Sequence, residues 1–148
     1  MSATEIYATA LAVAAAITLS PGRAGAEPSA ALAEGIASAR AASGCPALTA
    51  DPLATQAAEL VNRATADYLE HTAQHPPISD PMTVLADLGS PATAAIQLQG
   101  AGRSAAESIK VTLLQGNSSI GYCGWRHIGT SVLTAGDRTI VVAVLSDG

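Results

Sequence analysis

Three histidines, two cysteines and twelve carboxylates are the side chains with which this chain would do acid–base, nucleophilic or metal chemistry. His71 and His75 stand four residues apart, which places two imidazoles on one face if a helix continues through them. A zinc-peptidase helix reads H-E-x-x-H, and the general base required after the first histidine is here Thr72. Pro76 also makes helical geometry at His75 doubtful. The simpler reading is two exposed loop histidines, with metal or haem ligation as the alternative. His127 opens a β-branched run and reads as a packed or hydrogen-bonded residue, with a metal role as its alternative. Ser90, Ser104, Ser118 and Ser119 fall at turns or caps, outside any G-x-S-x-G elbow. Asp80 and Asp87 read as a helix cap and a solvated helix position. No glycine-rich phosphate cradle occurs, so no cofactor is expected.

Cys45 and Cys123 are the only cysteines, 78 positions apart, with no C-x-x-C spacing for a metal knuckle. In an exported chain the simplest arrangement is a disulfide; the alternative is two buried free thiols. Tyr122, Trp125 and His127 cluster around Cys123. They read as packing at a strand entrance or, alternatively, as a ligand-stacking patch.

Composition narrows the field further. Seven Lys+Arg against twelve Asp+Glu, with no basic run, leave nothing to neutralise a nucleic-acid backbone. With 49% hydrophobic and 13% charged residues, the chain is the opposite of a disordered one. Its 148 residues suffice for a single core, and without Phe that core must be Ala, Leu, Val and Ile. Tyr7–Leu19 is an uncharged run of thirteen residues, short of the ~20 that span a bilayer, and Ala24-Gly25-Ala26 follows it. Residues 1–26 thus read as an export signal, although Glu5 and the lack of a basic residue ahead of the run are unusual. The expected mature domain is 27–148, with no further transmembrane segment, secreted or associated with the cell envelope.

Helices come first along that domain. Residues 28–42 open on Pro28, place Leu32, Ile36 and Ala39 at helical spacing, and stop near Gly44. Asp51-Pro52 caps a second helix whose apolar stripe is Leu53, Ala57, Leu60, Val61, Ala64 and Tyr68, fraying near His71. Residues 71–80 form a loop, and Asp80-Pro81 starts a short helix ended by Gly89. Residues 94–99 are a candidate strand. Ser104 and Glu107 form a capping box for a helix that buries Ile109, Leu113 and Leu114 and ends at Gly116. Then the period changes. Residues 127–134 and 139–146 are β-branched runs joined by a Gly-containing turn, and the second is apolar on both faces. The expectation is α+β: an α-β-α sandwich with a small antiparallel sheet that ends in a C-terminal hairpin covered by helices.

This order of segments, with CPALTADPLATQAAEL, GRSAAESIKVTLL and YCGWRHIGTSVL, resembles the CAP superfamily over about residues 29–148. That family comprises cysteine-rich secretory, antigen 5 and pathogenesis-related proteins; the likeness is to the small, divergent versions that actinobacteria export. The resemblance implies an α-β-α sandwich. Metal-binding members use two His and two acidic residues in a central cleft. By resemblance, His71 or His75 takes the place of the first histidine and Gln97 that of the first acid, where it supplies no carboxylate. The stretch LLQGNSSIGYC lacks the second histidine, and the remaining acid has no counterpart. The resemblance therefore implies a retained fold without the cleft chemistry, that is, a pseudoenzyme.

The expected function is a secreted, non-catalytic module that binds a small apolar ligand, a lipid or a protein partner. Tyr122, Trp125, His127 and Gln97 are the candidate ligand patch. Two alternatives stand beside it: a metal-binding protein or enzyme using His71, His75 or His127, and a structural or wall-associated protein without a ligand.

Overall fold

Proline starts the early helices, and an aspartate caps the second and third. In the computed structural model, which describes residues 27–148, α1 is Pro28–Ala42 and α2 is Pro52–Leu69, each with proline in its first turn. The Asp51 carboxylate caps α2, accepting from the amides of Leu53 (3.1 Å) and Ala54 (3.2 Å). Asp80 does the same for α3 (Pro81–Asp87), accepting from Met82 N at 2.9 Å. The expected export segment lies outside the described residues.

Strand β1 is Thr49–Ala50, β2 is Ala95–Gly102, β3 is His127–Ala135 and β4 is Arg138–Ser146. They form one sheet in the order β1-β3-β4-β2. The pairs β3–β4 and β2–β4 are antiparallel, as expected, whereas β1 runs parallel to β3 with Thr49 opposite His127. The sheet is therefore mixed. Two exposed residues carry no alternation, so nothing in the residues announces β1. The hairpin is also tighter than the four-residue connection expected: Ala135 pairs with Arg138 around Gly136 (φ 58°) and Asp137.

Central β4 is buried from Ile140 to Ser146, as a strand covered on both faces must be. Val141, Ala143 and Leu145 face α1 and α4 (Ala105–Ile120), where they join Leu32, Ile36 and Ile120. Val142 and Val144 face α2 and α3. The result is the expected α+β sandwich.

Two helices present different faces from those their hydrophobic residues suggest. α2 buries Ala54, Ala57, Ala58, Val61, Asn62 and Ala66, while Leu60 and Tyr68 are exposed. The cause is close approach. A Cβ on Gly129 of β3 would run into the Ala54 and Thr55 backbone, so β3 comes this close to the start of α2 only because residue 129 is glycine. α4 does not stop at Gly116 but continues to Ile120, turning Ser108, Thr112, Gly116 and Ile120 inward and leaving Leu114 69% exposed. Here too small residues admit the sheet: a Cβ on Gly100 would meet Ser108 and Thr112, and one on Gly116 would meet Leu98. Ile109 and Leu113 pack at the margin. In the capping box, Ser104 Oγ accepts from Glu107 N, but Glu107 reaches back to the amide of Arg103 instead of that of the cap residue.

Candidate ligand recess at the disulfide end

Arg40 organises one end of the sandwich. It follows Leu32 and Ile36 at four-residue spacing on the buried face of α1 and is 1% exposed. Its guanidinium donors go to carbonyls. Nε and Nη2 reach Pro46 O (3.3 and 3.0 Å), Nη2 also reaches Trp125 O (3.0 Å), and Nη1 reaches Ile120 O (3.1 Å) and Tyr122 O (3.0 Å). No carboxylate is among those acceptors. Burial pushes the guanidinium below the ordinary arginine pKa, yet arginine in a protein stays protonated. Among the described residues, a full positive charge is thus held inside by peptide dipoles.

The two chain segments clamped by Arg40 are also joined covalently. Cys45 and Cys123 form a disulfide, with Cα atoms 4.9 Å apart. Trp125 follows, 9% exposed, its indole donating to Ser119 O at 3.0 Å. Tyr122 meets that ring edge-on with centroids 5.3 Å apart and is itself 61% exposed. The Arg126 backbone then ties the sheet together: its amide donates to Ser146 O and its carbonyl accepts from Thr49 N, each at 2.8 Å. These constraints leave an open recess of about 370 Å³, walled by Pro46, Ala47 and Trp125 and fringed by Thr49, Arg126 and His127 beside Cys123.

Of the candidate patch, Trp125 and His127 line this recess and Tyr122 packs edge-on against Trp125. Gln97 does not join them. It sits on β2, in register with Val144 and, across β4, with Gly129, so two strand spacings separate it from β3. Its Nε2 donates to Ile78 O (2.9 Å), holding the loop that follows α2, and its Oε1 is buried without a partner. Sequence order brings Gln97 near no aromatic residue; only the strand order shows where it lies.

His71 and His75 fall beyond the helix, so the shared helical face does not form. α2 ends at Leu69, His71 takes a left-handed conformation (φ 57°), and both histidines are exposed. His75 and Asp67 line a separate recess of about 290 Å³. Among the described residues, no group of three or more His, Cys, Asp or Glu is placed to hold a metal ion. A polar network missed by sequence reasoning crosses the α2 face. Asn62, fully buried, donates to Ser131 Oγ and Ile140 O (3.1 Å each), leaving its own Oδ1 without a partner; Gln99 donates to Thr65 Oγ1 at 2.8 Å. Arg40 was missed as well. A charged residue in register with Leu32 and Ile36 was its one signal.

A sheet between α1 and α4 on one face and α2 and α3 on the other, closed by a C-terminal hairpin, defines a CAP-like α-β-α sandwich. Similar solved structures include two of surface or secretory proteins. An outer surface protein from Borrelia burgdorferi superposes with a TM-score of 0.65 at 17% identity, over 82% of this chain and 92% of that one. A cysteine-rich secretory protein from Staphylococcus aureus subsp. aureus Mu50 superposes with a TM-score of 0.61 at 12% identity, over 82% of this chain and 38% of that one. At these identities the likeness is one of fold. No family model matches the sequence, and no curated protein matches it. Among the described residues no helix is long and apolar enough to cross a membrane.

Proposed function

We propose that this protein is an exported, non-catalytic CAP-like module that binds a small ligand at its disulfide end. The observation that carries the reading is the recess beside Cys123, where Trp125 and His127 converge on a preformed cleft of about 370 Å³. Its volume is within the range of small-molecule sites, and polar and apolar residues both line it. Arg40 and the disulfide hold its walls, so little ordering is left for a ligand to induce. Export is supported by the disulfide, by the apolar run ahead of Ala24-Gly25-Ala26, and by similar structures described as an outer surface protein and a secretory protein.

Trp125 is the only tryptophan of the chain and forms a wall of the recess, so its emission reports occupancy directly. Titrating the disulfide-bonded protein with a panel of lipids, sterols and small aromatic acids is expected to give a saturable change in that emission for at least one class. A flat response across the panel removes the ligand part of the proposal. Intact mass of protein from culture medium tests export: the expected species begins at Glu27 and lacks two protons, whereas a reduced, full-length chain retained in cells contradicts it.

A further inference from the structure

We infer that the disulfide-end recess takes a small organic anion, a carboxylate carried on a small apolar body. The inference rests on this recess being the ligand site and adds the charge and shape of its occupant. Arg126 and His127 fringe the recess, and no Asp or Glu lines it, in a chain where acidic residues outnumber basic ones twelve to seven. Arg40 lies behind the same wall. Its Nη2 is bonded to the carbonyls of Pro46 and Trp125, both of which line the recess, and its charge meets no carboxylate there. Carbonyl dipoles satisfy the donors of a guanidinium without cancelling its net charge. A cation fixed behind a low-dielectric wall is weakly screened and projects positive potential into the adjoining cleft. The exposed Arg126 supplies a planar donor fork at the mouth, a geometry suited to a carboxylate.

Shape supports the second half. Pro46 and Ala47, with the small exposed part of Trp125, form the apolar side of the recess. A small apolar body fits against that side while its anionic end meets Arg126 and His127. The chemistry is that of a small monocarboxylate with an apolar body. A neutral sterol or a hydrocarbon would offer the Arg126 guanidinium no partner.

Calorimetric titration of the full, disulfide-bonded protein with 2-naphthoate, with 2-naphthylmethanol and with acetate separates charge from shape. The naphthoate is expected to bind at one site, about tenfold or more tighter than either the neutral alcohol or acetate. Arg126→Gln, at an exposed position, is expected to weaken the naphthoate about tenfold and to leave the alcohol unchanged. The Trp125 indole N–H resonance should shift as the naphthoate saturates. If the alcohol binds as tightly as the acid, the charge assignment falls while the recess stands as a site. If neither binds, the inference falls, while the functional reading stands or falls on the broader panel of lipids, sterols and acids. Naphthoate binding that ignores Arg126→Gln, or that leaves the Trp125 resonance in place, puts the anion elsewhere and overturns the inference.

Discussion

Asp147 shows how a single side chain near the chain end closes a seam. Its carboxylate accepts from the Thr93 hydroxyl and from the amides of Thr93 (2.8 Å) and Ala94 (2.9 Å), capping the turn that leads into β2. The Thr93 hydroxyl, then the two amides, hold its pKa at about 2, against an ordinary 3.8. A depressed carboxylate stabilises the folded state fully above its unfolded value and loses that contribution as pH falls through the folded one. The difference in urea midpoint between the native protein and Asp147→Asn should therefore be constant above about pH 5 and shrink between about pH 4 and pH 2. A difference that does not vary over that window would contradict the assignment. Asn62 and Arg40 follow the same logic in the interior, where a polar group is kept only because backbone acceptors meet it.

Between elements, glycine and alanine decide how closely helices approach the sheet. The Gly129 backbone lies against Ala54 and Thr55, so an added methyl group meets backbone that cannot move aside. Gly129→Ala is expected to destabilise the fold by about 2–3 kcal/mol in urea unfolding. Gly35 is the contrast. A Cβ there meets only the mobile end of Leu113, and alanine is the better helix former, so Gly35→Ala should be close to neutral. Equal costs at the two positions would refute the close-contact explanation. The same contact explains why the face of α2 was misread. Ranking by hydrophobicity favours Leu60 and Tyr68, but where β3 comes close the buried face of α2 is alanine, with Val61 and Asn62 further along.

For the molecule as a whole, the disulfide joins the end of α1 to the entrance of β3 across 78 residues. In the chain-entropy account such a loop contributes about 4–5 kcal/mol by restricting the unfolded ensemble. Replacing both cysteines with alanine should lower the unfolding free energy by about that amount, measured by denaturant titration. Arg40 bonds to carbonyls on both sides of the link, so the local arrangement has a second clamp. A loss below about 1 kcal/mol would contradict that account.

Periodicity, caps and punctuation were enough to read α1, α2, α3, the hairpin and the two-sided burial of β4, because each depends on neighbours within a few residues or on a strand's own composition. Pairing of the two cysteines followed from the expected compartment of the chain. Several features had little or no local signal: the parallel β1, the inward small-residue faces of α2 and α4, the acceptors of Arg40, and the separation of Gln97 from Trp125 and His127. Each is a relation between residues far apart in sequence, set when a backbone comes close enough to exclude a side chain or to accept a buried donor. Only the packed structure fixes those distances.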